Sequence, residues 1–457
     1  MNLPDAFIND INKSLALNEQ QLFFEALGDS TPVSIRMNPF KWKNDIPDLQ
    51  VPWCPFGFYL DKRPKFTLDP SFHAGEYYVQ EASSMFIYHI LNQLPVSKKG
   101  LKVLDLCAAP GGKSTLISSW LGGNGLLVAN EVIKGRAYTL KYNLSKEGHA
   151  NVLVSNNDPK DFNNITEFFD IILVDAPCSG EGMFRKDPKS ICEWSEENVQ
   201  NCSSRQKSIL TNVISSLKSG GYLIYSTCTY NDIENIENTD WLVSEHHFQS
   251  ISINVPDAWG VCIKNGIKSI GYQFYPHKVK GEGFFAAVFK NPIGEDNSLI
   301  KREVRCKNLN LVEKNELYLI KDWVRVSNMT FLKDKAGTIH AIDDETENDI
   351  RYLENHLRLI YCGVSVGIIN KNILIPDHSL ALSPLLSDEF HTVSLNSESA
   401  LLYLKKSLNQ IDSDKKSWIL ATYNGNGLGF LKNLGNRINN YLPAEYRILM
   451  DLPQITS

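Results

Sequence analysis

The sequence predicts an α/β fold organised on a buried parallel sheet, and three observations carry that expectation. Between residues 101 and 226, short apolar runs recur that are continuous rather than alternating, as strands covered on both faces require. Stretches of helical length separate them. Each run ends in a polar residue, at the strand edge where open α/β sheets receive ligands. The stretch from Phe169 to Gly182 shows the pattern best. Its apolar core, Ile171 to Val174, stops at Asp175, and Pro177, Cys178, Gly180 and Gly182 follow at once.

A chain of 457 residues exceeds one core and predicts about three domains. With 43% hydrophobic and 21% charged residues it reads as an ordinary globular protein. No apolar run reaches the length of a membrane span. The segment from Met1 to Leu15 lacks a basic start followed by an apolar core, so a cytosolic protein without membrane partners is expected. Nine cysteines without a Cys-x-x-Cys pair exclude a disulfide framework and a zinc site, and no metal is expected. The net charge of −6 neither announces nucleic-acid binding nor excludes it, because a local basic face suffices.

Residues 1–95 alternate helical stretches with Pro-marked turns. Ser34 to Asn38 reads as a short strand with Ser34, Arg36 and Asn38 on one face. The cluster Gln80-Glu-Ala-Ser-Ser84 precedes an apolar helix and reads as capping.

The next segment is more specific. Lys102 to Leu106 is a buried strand, Cys107-Ala108-Ala109-Pro110-Gly111-Gly112-Lys113 a loop of small residues, and Ser114 opens a helix. Small residues let backbone N–H groups approach a ligand, and a helix start favours negative charge. A phosphate-binding P-loop needs glycine where Cys107 stands, and the Gly-x-Gly-x-x-Gly dinucleotide fingerprint is absent. A carboxylate-bearing nucleoside fits this loop better than a pyrophosphate. Gly125 to Glu131 forms a second strand, whose Glu131 is placed to accept hydrogen bonds from a ribose diol. After a helix from Gly135 to Gly148, the strand from Asn151 ends in Asp158, placed for an exocyclic amine. Three acids (Glu131, Asp158 and Asp175) closing three consecutive strands after a Gly-Gly loop point to S-adenosylmethionine as cofactor.

Beyond Gly182, Phe184-Arg185-Lys186-Asp187-Pro188-Lys189 reads as a basic loop, either suited to a phosphate backbone or simply solvated. A helical region from Trp194 to Lys218 is expected to end at Gly220-Gly221. The strand Tyr222 to Ser226 then leads into Thr227-Cys228-Thr229-Tyr230, so a second thiol closes a second strand. Antiparallel strands around Gly281-Glu282-Gly283 close the sheet, and His277 beside them is a candidate for acid/base work, although a Pro-flanked loop histidine is more often structural or a phosphate donor. Pro292 to Asn297 reads as a linker. Mixed α/β follows, and Trp418 to Lys432 carries a hairpin signature around Asn424-Gly425-Asn426-Gly427.

Two thiols at neighbouring strand ends imply a particular chemistry. Amine methyltransferases use an Asp/Asn-Pro-Pro-aromatic loop, and here Cys178 replaces the aromatic. Carbon 5 of a pyrimidine becomes nucleophilic only after something adds to carbon 6, and a thiolate does that well. Asp175 supplies a carboxylate for the cytosine edge, and the base must leave its stack.

From about residue 34 to 290 the chain resembles the RNA cytosine-5 methyltransferases of the Sun/Nop family, of the bacterial RsmF type. Ser-Ile-Arg-Met-Asn, Tyr-Val-Gln-Glu-Ala-Ser-Ser-Met, Cys-Ala-Ala-Pro-Gly-Gly-Lys, Asp-Ala-Pro-Cys-Ser-Gly-Glu-Gly, Ser-Thr-Cys-Thr-Tyr and Gly-Glu-Gly-Phe-Phe carry the likeness, in that order. The resemblance implies a Rossmann-like class I methyltransferase sheet flanked by other units. These are an N-terminal RNA-handling lobe (1–95), the catalytic domain (96–291), a C-terminal α+β domain (300–384) and a PUA-like RNA-binding domain (385–457). It also implies that Cys228 attacks carbon 6, that Cys178 helps release product, and that Cys107 to Lys113, Glu131, Asp158 and Asp175 bind S-adenosylmethionine. Asp175 faces the cytosine as well. The implied partner is 16S ribosomal RNA, free or within the 30S subunit, met by a monomer. The same chemistry on transfer RNA, or a non-catalytic RNA-binding assembly factor, are the competing expectations.

Overall fold

The computed structural model describes residues 2–292 and 307–452. Most of the predicted linker, the first residues of the 300–384 unit and Cys306 lie outside the described residues.

The N-terminal helices Asp5–Ser14 and Leu17–Gly28 bury Phe7, Ile11, Phe23 and Leu27 against Phe184, Trp194 and Tyr230. They therefore back the two loops that follow the thiols. Three short strands come next, β1 (Val33–Met37), β2 (Gly57–Leu60) and β3 (Tyr77–Val79), in the order β2-β1-β3. The face predicted for Ser34, Arg36 and Asn38 is real and is turned to the rest of the chain. Arg36 donates to Gln80 Oε1 (2.8 Å), Thr115 Oγ1 (2.6 Å) and Ser119 Oγ (3.3 Å), and Asn38 donates to Glu147 (3.1 Å).

The central sheet comprises β4 (Lys102–Asp105), β5 (Leu126–Asn130), β6 (Val152–Ser155), β7 (Phe169–Asp175), β8 (Leu217–Thr227), β9 (Gln249–Ser250), β10 (Cys262–Asn265), β11 (Ile270–Phe274) and β12 (Phe284–Lys290). Their order is β10-β11-β12-β8-β7-β4-β5-β6, with β9 beside β12. Strands β4 to β8 are parallel, and β12, β11 and β10 close one side antiparallel. The continuous apolar runs have their explanation here. Val103, Leu127, Val152 and Ile171 pack on one face, whereas Leu104, Val128, Leu153 and Ile172 pack on the other. Chain order reverses at β4, which lies between β5 and β7, so a crevice opens beyond the strand ends there.

One expectation shifts. The helix Glu196–Val213 ends well before Gly220-Gly221, and the diglycine lies inside β8. Pairing with Phe169 claims Leu217 for the sheet, and a Cβ on Gly221 would meet the Asp170 carbonyl at 2.9 Å.

The C-terminal half adds β13 (Asn310–Leu311), β14 (Met329–Lys333), β15 (Thr338–Asp343), β16 (Leu359–Cys362), β17 (Val364–Asn370) and β18 (Ile373–Pro376). Five of these form the sheet β13-β14-β15-β17-β18. The sixth, β16, pairs antiparallel with β6 and so becomes the far edge of the central sheet. A last sheet, β19 (Thr392–Ser394), β20 (Trp418–Tyr423), β21 (Asn426–Asn433) and β22 (Ile438–Asn440), contains the predicted hairpin. Its turn, Asn424-Gly425, has φ of 48° and 70° at the two residues.

All parts meet at Lys41. Its Nζ donates to the carbonyls of Ala74 (3.2 Å), Lys146 and Leu382 (2.7 Å), and its own carbonyl accepts from Asn426 (2.8 Å). Among the described residues no helix is long and apolar enough to cross a membrane.

Candidate active site

Three parallel strand ends build the crevice. At the first, β4 ends in Asp105 and the small-residue loop carries the chain to the helix Gly112–Leu121. Gly111, at φ 118°, turns that corner, and a Cβ there would press on Leu140 and Asn143 at 3.3 and 3.4 Å. The neighbouring helix, Lys134–Ser145, holds the loop down. Arg136 donates to the Ala109 carbonyl (2.7 Å) and Asn143 to that of Pro110 (2.8 Å).

Asp105 is the residue that sequence reasoning missed. It is fully buried, accepts from Ser114 Oγ at 2.6 Å through one oxygen, and among the described residues has no partner for Oδ1. Burial, reinforced by Asp175 and Glu131 nearby, pushes its carboxyl up to about 7, although Ser114 and Lys113 oppose the shift. A buried acceptor left open toward a cavity is a ligand contact waiting for its donor. Its signal was in the sequence, as an acid closing the strand just before the small-residue loop.

The second and third strand ends come together. Asp175, at the end of β7, pairs with Lys113 Nζ (2.8 Å) and accepts from Ser226 Oγ (2.8 Å). Burial alone would lower the Lys113 ammonium, but the Asp175 carboxylate outweighs it and holds the lysine charged above its usual range. Cys178 and Cys228 lie with their sulfurs 3.1 Å apart, and the Cys228 N–H donates to the Cys178 sulfur (3.3 Å). The hydrogen bond to Cys228, then burial, push the Cys178 thiol well up. Cys107 is different. Burial and the surrounding carboxylates push its thiol far up, so it packs as a neutral group.

A cavity of about 280 Å³ joins these groups. Asp105, Cys107, Ala108, Ala109, Pro110, Gly112, Lys113, Asp175 and Cys228 line it, together with Gln80, Glu81 and Lys186. The structure thus gathers most of the predicted site residues around one space. Cys178 stands one sulfur contact behind Cys228, and Gly111 underlies the loop. Glu131 is buried at the end of β5, with its carboxylate on the Ile133 N–H (2.9 Å) and Arg136 (3.4 Å). Asp158 stays outside the cavity lining, half-exposed, and accepts from Lys160 N at 3.1 Å.

Two expectations need correction. Arg185 does not offer its charge to a phosphate backbone, because its side chain is buried in an ion pair with Glu282 (3.0 Å) and donates to the Gly281 carbonyl (2.8 Å). Of that basic loop, Lys186 reaches the cavity and Lys189 is exposed. The cluster from Gln80 to Ser84 is more than capping. Glu81 does cap, accepting from Ser83 N and Ser84 N (2.9 Å each), yet it also accepts from Glu282 N (2.9 Å) and faces the cavity.

Residues 93–290 match the family described as 16S rRNA methyltransferase RsmB/F. Residues 3–82 match the N-terminal domain of 16S rRNA methyltransferase RsmF, and residues 390–448 match the methyltransferase RsmF PUA domain. The ribosomal RNA small subunit methyltransferase F of Shewanella piezotolerans is 30% identical over 423 residues, covering 90% of this chain and 86% of its own. That of Aliivibrio salmonicida is 29% identical over 471 residues, covering 97% of both. Among solved structures, a methyltransferase homolog protein from Pyrococcus horikoshii superposes with a TM-score of 0.53 at 26% identity. The match covers 63% of this chain and 95% of that one.

The cofactor is S-adenosylmethionine, and the crevice fits it. The unpaired Asp105 oxygen suits an ammonium and the start of the helix Gly112–Leu121 a carboxylate. By its matched segments, its relatives and this crevice, the chain belongs to the RsmF family of 16S ribosomal RNA methyltransferases.

Proposed function

We propose that this protein methylates carbon 5 of a cytosine in 16S ribosomal RNA through a covalent bond between Cys228 and carbon 6. The observation that carries the reading is the pair of sulfurs 3.1 Å apart beside the Lys113–Asp175 ion pair. Bound S-adenosylmethionine supplies an electrophilic methyl group. Everything else falls to the chain's own residues.

Cys178, with its sulfur 3.1 Å from that of Cys228, is placed to hydrogen-bond that sulfur once the Cys228 thiol has given its proton to solvent and become the attacking thiolate. That thiolate adds to carbon 6, and the ring electrons move toward carbon 5 and N3. The Asp175 carboxylate accepts from the N4 amine and so holds the base's edge, and the Lys113 ammonium stabilises the negative charge that develops toward N3. Once carbon 5 carries the methyl group, its proton leaves to solvent water, which acts as the base. The electrons of that C–H bond restore the 5,6 double bond, and the Cys228 sulfur departs as thiolate. Cys178, within hydrogen-bond reach of that sulfur, assists the release. Glu131 and Asp158 serve the nucleoside end of the cofactor.

In this reading the protein works as a monomer in the cytosol, since every side chain the mechanism uses belongs to one chain and the substrate is ribosomal RNA. The 1–95 lobe and the 300–384 and 385–457 units handle RNA around the 96–291 catalytic domain. Bisulfite sequencing of 16S RNA from cells with and without the gene tests the reading. One protected cytosine should lose its protection in the deletion. Unchanged 16S RNA with a changed transfer RNA would overturn the substrate, and no change in either would overturn the activity. In purified protein, Cys228→Ala should lower methyl transfer by ~10⁴-fold or more. Cys178→Ala should instead accumulate an RNA–protein adduct that survives denaturation. The reverse pattern would overturn the assignment of the two thiols.

A further inference from the structure

Behind the thiols lie two buried carboxylates that the mechanism does not use. Glu181 follows Cys178 in the loop after β7, and Glu234 follows Cys228 in the loop after β8. Glu181 is 1% exposed and Glu234 0%, so each has left water for fixed partners. Those partners are reciprocal. Glu181 accepts from the backbone N–H groups of Tyr230 (2.9 Å) and Asn231 (3.0 Å), just after Cys228. Glu234 accepts from the backbone N–H of Ser179 (3.0 Å), just after Cys178. The Asn231 amide bridges both carboxylates, at 3.0 Å to Glu181 and 2.8 Å to Glu234. The backbones touch at Gly182, whose N–H donates to the Cys228 carbonyl (2.9 Å) and where a Cβ would meet that carbonyl at 2.8 Å.

We infer that Glu181 and Glu234 are positioning residues, a crossed clamp in which each thiol loop's carboxylate grips the other loop's backbone and fixes the distance between the two sulfurs. The inference rests on the proposed division of labour between the thiols. Apolar residues would fill this volume at lower desolvation cost, so two buried acids are retained for the geometry they impose. Their effects differ. Glu234 restrains the residue beside Cys178, and its loss impairs release. Glu181 restrains the residues after Cys228, and its loss impairs attack.

Both carboxylates are surrounded by donors, Trp194 Nε1 completing the set at Glu181 (2.9 Å) and Gln206 Nε2 at Glu234 (2.7 Å). An amide NH₂ therefore faces a donor in either orientation, and Glu→Gln opens the clamp without changing volume. The experiment compares Glu181→Gln, Glu234→Gln and Asn231→Ala with wild type and Cys178→Ala, each shown folded by circular dichroism. The first readout needs no activity. Diamide oxidises the two thiols to a Cys178–Cys228 disulfide and is itself reduced to the hydrazine, and peptide mass spectrometry times the loss of two hydrogens. All three clamp variants should form it ~10-fold or more slowly than wild type, because the thiols lose effective concentration. The second readout is denaturation-resistant RNA adduct, which Glu234→Gln should accumulate as Cys178→Ala does and Glu181→Gln should not. Wild-type disulfide rates in the folded variants overturn the clamp. Adduct in Cys178→Ala but not in Glu234→Gln overturns the role given to Glu234. No adduct even in Cys178→Ala overturns the thiol assignment instead, and the disulfide rates then decide the clamp alone.

Discussion

The junction around Arg36 and the crevice around Asp105 both bury charge, and they treat it in opposite ways. At the junction all three nitrogens of Arg36 are engaged: Nε on Gln80, Nη2 on Thr115, Nη1 on Ser119. Ser119 and Asn38 then satisfy the Glu147 carboxylate at 2.9 and 3.1 Å, and the three Nζ protons of Lys41 go to three carbonyls. In the crevice, Asp105 keeps a bare buried oxygen and Asp175 faces a cavity. A closed polar network fixes where lobes sit, and an open one marks where a ligand completes it.

Breaking the closed network should therefore cost stability and little chemistry. Arg36→Met takes from the buried Glu147 the strongest of its compensating charges and leaves Gln80, Thr115 and Ser119 without their donor, and should lower unfolding free energy by about 3–5 kcal/mol in a denaturant titration. Methyl transfer per folded molecule should stay near wild type. A comparable loss of kcat in the folded fraction would erase the contrast. Lys113→Met is the converse. It should lower kcat by ~10²-fold while the cofactor KM moves less, because the proposed mechanism sets Lys113 against the reacting base.

Smaller effects sharpen the comparison. The Asp105 carboxyl is raised to about 7 in the fold against 3.8 when free. Its contribution to stability is complete below about pH 4 and is lost as pH rises toward 7. Melting temperatures of wild type and Asp105→Asn should accordingly diverge in the variant's favour between those values. Saturating cofactor should narrow that gap in the wild type by pairing the carboxylate. Parallel melting curves across this range would place Asp105 in the closed class. Least is expected from Asp158→Ala. That side chain caps a turn and is half-exposed, so the cofactor KM should rise by ~3–10-fold, kcat should hold, and stability should fall by about 1 kcal/mol.

The same contrast explains what could be read in advance. Strand ends were legible because β4 to β8 are buried on both faces, which makes their sequences unbroken apolar runs with abrupt polar stops at Glu131, Asp175 and Cys228. Asp105 obeys the same rule and was overlooked only because Leu106 extends the apolar run past it. Long-range pairing was not legible. Arg185 looks like a surface cation until Glu282, 97 positions later, folds onto it. The grip of Glu181 on Tyr230 and Asn231 spans about fifty positions and leaves no local periodicity. Nor does the four-residue strand β16 announce a partner some two hundred residues upstream.

That last strand bears on how the chain comes off the ribosome. When the methyltransferase segment through β12 has emerged, β6 is still an unpaired edge, Val152 to Ser155, whose side chains are all buried in the finished fold. Only after Leu359–Cys362 has been synthesised does the edge gain its neighbour. A nascent chain in that interval displays an apolar strand with free backbone groups, the form most prone to pair with another chain. In the finished fold β16 covers that edge, so the C-terminal half shields the open side of the catalytic sheet. An isolated catalytic domain would carry that sticky edge for its whole lifetime.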